Sequence, residues 1–147
     1  MTDVRRILCL VDFSDTSDHA MEYAIRLAEQ LGSELHLLHC YSMPIYPLPD
    51  GGIVGTGELA NIVRRDSQKA FDALRARFDT SATVVEHLTE GIPHREVQRL
   101  SDELGIDMVV MGTHGRTGIR HFLLGSVAER VVRTSPVPVV TVPAPKG

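Results

Sequence analysis

Tryptophan is absent, cysteine occurs twice, and aromatic residues make up only 5% of the 147-residue chain. Cys9 and Cys40 lie in separate predicted strands with no CxxC spacing, which fits reduced, mostly buried thiols in a cytoplasmic protein rather than a disulfide or reactive pair. No apolar run approaches the roughly 18 residues needed to cross a bilayer, so a membrane-inserted chain is not expected. The opening MTDVRRILCLVDFSD is interrupted by Asp12 and has no small-residue cleavage site; it reads as a first strand rather than a signal peptide. Excess positive charge is missing too: the formal net charge is −4, which gives no electrostatic basis for broad nucleic-acid binding. What is present is an ordinary globular composition, 43% hydrophobic and 23% charged, at a length that suits one domain spanning residues 1–147.

The hydrophobic pattern switches regularly between two periods. RRILCLV (5–11) is apolar without alternation, as expected of a strand covered on both faces. From Thr16 to Leu31, Ala20, Ala24, Leu27, Ala28 and Leu31 recur at helical spacing, and Gly32 supplies a stop. ELHLLHC (34–40) reads as a second strand. Residues 41–58 hold Pro44, Pro47 and Pro49 with Gly51, Gly52, Gly55 and Gly57, a composition that predicts a long loop without regular structure. A second helix is expected over 59–78, with Leu59, Ile62, Val63, Ala70, Phe71 and Leu74 inward. ATVVEHL (82–88) gives a third strand, and a third helix follows over 93–104 between Pro93 at its first turn and Gly105 at its end. DMVVM (107–111) is a fourth strand, 126–134 a short helix, and PVPVVTV (136–142) the last strand. The order βαβαβαβαβ implies an α/β, doubly wound parallel sheet with helices on both faces. Ligand sites in such sheets lie beyond the carboxyl ends of the strands, here between DFS (12–14) and MGTHG (111–115).

MGTHGRTGIRHFLLGS (111–126) spends four glycines on sixteen positions. Glycines let backbone N–H groups approach an anion and converge on it, and a helix starting at Ser126 adds donors with a partial positive charge. The same glycines also serve for turns alone. Neither GxxxxGK[ST] nor GxGxxG is matched, so a Walker loop and a dinucleotide fingerprint are both unsupported.

The spacing G-x2-G-x9-G-S, formed by Gly112, Gly115, Gly125 and Ser126, resembles the ATP-binding signature of the universal stress protein family. The likeness extends over nearly the whole chain, through Asp12-Phe13-Ser14, TEGIP, DMVVMGTHGRTG and the closing SPVPVVTVP. It implies a Rossmann-like fold of the adenine nucleotide alpha hydrolase type, with five parallel strands in the order 3-2-1-4-5, and the nucleotide-binding subgroup rather than the one lacking the glycines. It implies ATP across the tips of strands one and four. Asp12 would then stand near ribose and phosphates and help hold Mg or Mn, or else simply accept N–H bonds in its own turn. Val11 and Phe13 would touch base or ribose, with a core role open for Phe13; His39, Cys40 and Tyr41 would line the adenine largely through backbone groups, and Met111 would pack beside it. Gly112, Gly115, Gly125, Ser126 and Val127 would contact phosphates and ribose. Arg116 and Arg120 either neutralise phosphate charge or form a solvated basic loop, and His114 and His121 suit a surface or loop role rather than catalysis.

No general base with a partner is visible, so ATP is expected to act as a regulatory ligand, with at most slow hydrolysis. The resemblance implies a stress-response module that controls another protein, such as a transporter. A slow ATPase or nucleotidyl transferase, and a nucleotide-free dimeric interaction protein, are the competing classes. An ATP pyrophosphatase of the PP-loop type would need an SGG-type loop where this chain has DFSDTS. Family members pair the final strand with its copy, which implies a homodimer through 137–142; the alternative is an internal strand with proline-blocked ends and no dimer.

Overall fold

Strands and helices alternate in the expected order: β1 (Arg6–Leu10), α1 (Asp15–Leu31), β2 (Glu34–Tyr41), α2 (Thr56–Ala76), β3 (Val84–Glu90), α3 (Pro93–Leu104), β4 (Met108–Gly112), α4 (Ser126–Thr134) and β5 (Val139–Val142). The computed structural model describes residues 3–42, 47–52, 56–114 and 124–145. The strands form one parallel sheet in the order β3-β2-β1-β4-β5. That is the order the resemblance implied.

Side-chain alternation divides the central strands between two cores. Ile7, Cys9 and Val11 pack with Ala20, Met21, Ala24 and Ala28 of α1 and Phe71 and Leu74 of α2. Leu8 and Leu10 point the other way, toward Val97 and Leu100 of α3 and Ala128 and Val131 of α4. A strand buried on both faces has no polar positions to alternate with, which explains the unbroken RILCL run. Helix ends follow local chemistry. Gly32 closes α1 at φ 67° with its N–H on the Ala28 carbonyl, and Gly105 closes α3 at φ 65° in the same way on Ser101. Burial pushes the Cys9 thiol up to about 12 and the Cys40 thiol up to about 11, so both free cysteines are protonated at neutral pH.

Three expectations need correction. Helix α2 begins at Thr56, inside the segment expected to be irregular, and ends at Ala76. Ile62, expected inward, is 48% exposed, while Phe71 and Leu74 are buried as expected. At 21 residues α2 is about 32 Å long, and its buried residues, Phe71 and Leu74, both lie in its second half. The last strand is shorter than expected because Pro136 and Pro138 have no N–H to give a ladder. Among the described residues no helix is long and apolar enough to cross a membrane.

Candidate functional site

The carboxyl ends of β1 and β4 lie side by side, and from there the chain leaves in opposite directions into α1 and toward α4. This is the point where a doubly wound sheet leaves a crevice. At β1 the exit turn is tightly closed. Asp12 Oδ1 accepts from the Ser14 N–H at 2.9 Å and from the Ser14 hydroxyl. The Ser14 Oγ caps α1 by accepting from the Ser17 N–H at 3.2 Å, and the Asp12 N–H donates to the Ser17 Oγ at 3.2 Å. Asp12 therefore does hold its own turn, while its Oδ2 carries no hydrogen bond among the described residues. Phe13 occupies the left-handed region at φ 64°, the one described non-glycine residue to do so.

What stabilises that unusual backbone comes from β2 and α2. The Phe13 ring lies 4.5 Å from the His39 ring and meets Phe71 edge-on at 5.5 Å. His39 Nδ1 donates to the Val11 carbonyl at 2.7 Å. Phe13 and His39 thus face the α1/α2 core, as one of the two sequence readings of Phe13 allowed. Cys40 points to the other face, among the residues packed on Leu10 and Met111.

Strand β2 runs past the end of β1. Its pairing with β1 stops at Leu38 while its pairing with β3 continues to Tyr41. Backbone groups alternate between neighbours along a strand. Leu38 serves β1, through its carbonyl to the Val11 N–H at 2.8 Å, and Tyr41 serves β3, accepting from the Gly91 N–H at 3.0 Å. The backbone N–H and C=O of Cys40 consequently face the β1 side, beyond the last residue of the described β1 pairing. The Val11 carbonyl that would have answered the Cys40 N–H is taken by His39.

At the end of β4, Gly112 has a packing role of its own. A Cβ built there would stand 2.7 Å from Thr16 Cγ2 and 3.2 Å from the Thr16 carbonyl, so only glycine lets β4 pass the first turn of α1. Met111 is buried beside it, 4% exposed. The loop that follows is pinned at its base: the Thr113 N–H donates to the Val142 carbonyl at 3.1 Å, and the Gly125 N–H to the Thr113 carbonyl at 2.7 Å. Thr113 Oγ1 and His114 Nδ1 are 2.9 Å apart. Gly115, Arg116, Arg120 and His121 fall outside the described residues.

Helix α4 starts bare. Its N-cap is Gly125, which has no side chain to cap with, and Ser126 and Val127 of the first turn are exposed. They border a cleft of about 200 Å³ whose other walls are Ile92, Pro93 and His94 at the start of α3, and Arg130 of α4. The Arg130 guanidinium has no ion pair among the described residues. Sequence reasoning missed Ile92, Pro93, His94 and Arg130 as site residues. The available signal was topological: in a parallel sheet every helix begins at the carboxyl ends of the strands, so TEGIP had to arrive at the same end as Gly125-Ser126. No group of three or more His, Cys, Asp or Glu side chains that could hold a metal ion occurs among the described residues, at Asp12 or elsewhere.

A family model described as the universal stress protein family matches residues 3–143. The chain belongs to that family. Universal stress protein MJ0531 of Methanocaldococcus jannaschii is 30% identical over 144 residues, covering 97% of this chain and 84% of the relative. Among solved structures, universal stress protein UspA from Lactobacillus plantarum superposes with a TM-score of 0.80 at 22% identity, covering 97% of this chain and 99% of that one. A universal stress protein from Archaeoglobus fulgidus, solved in complex with dAMP, superposes with a TM-score of 0.61 at 22% identity over 96% of this chain and 99% of that one. The family assignment agrees with the sequence resemblance, and this universal stress protein shares their fold over at least 96% of its length.

Proposed function

We propose that this universal stress protein binds an adenine nucleotide, ATP, across the tips of β1 and β4 and uses it as a regulatory ligand rather than as fuel. The observation that carries the reading is the uncapped start of α4, where Ser126 and Val127 present first-turn N–H groups beside a cleft bordered by Arg130, which has no ion pair among the described residues. Such a start favours phosphate oxygens through its free donors and the helix dipole. The free backbone pair of Cys40 offers a donor and an acceptor side by side, the pattern that an adenine edge complements. Asp12 Oδ2 suits a ribose hydroxyl. The dAMP complex of the Archaeoglobus fulgidus relative supports a nucleotide as the ligand class.

In this reading Cys40 and Tyr41 shape the base side of the site, backed by Val11, Phe13 and His39 from the α1/α2 core, Met111 and Gly112 form its floor, and Gly115, Arg116, Gly125, Ser126 and Val127 the phosphate side. A divalent ion, Mg or Mn, would take one oxygen from Asp12 and the rest from phosphates and water, as magnesium commonly does. Bound nucleotide would supply a state that a second protein reads, such as a transporter, provided that protein prefers one of the two states. We further propose a homodimer through 137–142. Strand β5 is the last in the sheet and pairs only with β4 among the described residues, leaving a row of backbone groups for a second copy.

Protein purified without added nucleotide and then denatured should release an adenine nucleotide in near-stoichiometric amount, identified by chromatography and mass spectrometry. If nothing is released, titration with ATP and magnesium follows, and no binding at millimolar ATP overturns the proposal. Light scattering should give twice the monomer mass; a monomer at micromolar concentration overturns the dimer.

A further inference from the structure

Away from the cleft, the edge of the sheet carries a pair of histidines that nucleotide binding does not use. His36 of β2 is buried, only 4% exposed, and His87 of β3 is half-buried. Their rings lie nearly in one plane, 14° apart, with His36 Nδ1 2.8 Å from His87 Nε2. Two ring nitrogens at that distance share one proton, because one must donate and the other accept. On the far side of the His36 ring, Glu34 Oε1 stands 2.9 Å from Nε2, off the line of a good hydrogen bond. A proton added to the accepting nitrogen would set N–H against N–H, and two charged rings would stand side by side as cations, so the imidazoles titrate as a coupled unit.

The charged groups around the pair come from three further directions. Glu34 on β2 attracts a cation at His36, while Arg6 on β1 opposes it. Arg99 on α3, itself held by Glu96 and Glu103, opposes a cation at His87. Cys40, on the same face of β2, is held neutral by burial. Desolvation is the largest influence on both imidazoles and keeps each below the usual histidine range.

Strand β3 depends on this contact more than an interior strand would. It is at the edge of the sheet, pairs only with β2 among the described residues, and has no fully buried residue. We propose that the His36–His87 hydrogen bond is an acid-sensitive latch that fastens edge strand β3 to β2, and that acidification releases β3. Beyond β3 the chain passes through Gly91, tied to Tyr41, into the Ile92–His94 wall of the cleft. Release therefore loosens one wall of the site, and on the nucleotide reading affinity falls with it; the latch itself stands without that reading.

The sign follows from proton uptake. The latched pair is held neutral, whereas the released imidazoles take up protons near their ordinary value of about 6.5. The latch is at full strength above that pH and is lost as pH falls below it. Each imidazole that stays neutral in the fold makes the unfolding constant rise about thirtyfold between pH 7.5 and 5.0.

The test is urea unfolding at both pH values for wild type and for His87→Gln, whose amide can still bond to His36 but does not titrate. Wild type should weaken more than the variant, by at most about thirtyfold. Amide exchange, corrected for intrinsic rates, should accelerate in β3 before it does in β1 and β4. NMR titration of the wild-type imidazoles supplies a readout that needs no variant, with both expected to titrate below the ordinary value. Equal pH dependence in the two proteins, exchange that accelerates evenly across the sheet, or ordinary titration of both imidazoles would overturn the latch.

Discussion

Helices α1 and α4 both begin at the carboxyl end of the sheet, yet their first turns are finished in opposite ways. Ser14 caps α1, and Asp12 braces the cap, so side chains of the protein occupy the donors there. At α4 the capping position is Gly125, and nothing from the described residues takes the first-turn N–H groups. Both ends carry the same helix dipole. The difference teaches that a helix start becomes a binding site through what the sequence withholds from it: a capped start is part of the scaffold, and a bare one beside a cleft awaits an outside anion.

The largest effect is expected from filling the bare end. Gly125 has φ −72° and ψ 172°, a conformation open to any residue, so Gly125→Val should fold while its side chain crowds the phosphate position. Calorimetric titration should show ATP affinity reduced on the order of hundredfold, ~2.7 kcal/mol, the loss of one or two charge-assisted hydrogen bonds. Gly112→Ala tests the reverse case, a glycine required by packing. It should cost about 1–3 kcal/mol of unfolding free energy by overpacking against Thr16, and Thr16→Ser in the same chain should recover part of this by removing Cγ2. Arg130→Gln should reduce ATP affinity about tenfold and leave the urea midpoint unchanged. Ser14→Ala should do the opposite, removing ~1 kcal/mol of stability through the lost cap with a smaller effect on the nucleotide. If Ser14→Ala and Gly125→Val both act mainly on affinity, the distinction between sealed and open ends fails.

The elements were legible because each rests on a local rule. An unalternating RILCL means a doubly covered strand, Gly32 and Gly105 stop helices through φ > 0, and Pro93 starts one. The glycines of 111–126 and Ser126 pointed to the open end of α4 for the same reason, since a missing side chain can be read directly. What escaped depends on distant parts of the chain meeting. Nothing near Phe13 announces a left-handed residue, because the His39 and Phe71 rings that surround it come from β2 and α2. The inward assignment of Ile62 failed because periodicity gives the face of a helix but not how much of its length is covered. Arg130 and His94 became neighbours only when α3 and α4 were laid on the same face. His36 and His87, 51 positions apart, were invisible as a pair for the same reason.

The central claim is that the first turn of α4, and not that of α1, receives the nucleotide phosphates. Amide NMR of labelled protein titrated with ATP and magnesium tests it residue by residue. The amides of Ser126, Val127 and Ala128 should shift together and saturably, with Cys40 following if the base is read there, while those of Asp15, Thr16 and Ser17 move far less. Saturation that shifts the α1 amides and leaves Ser126 and Val127 in place, or no saturable shift at millimolar ATP, would contradict the account.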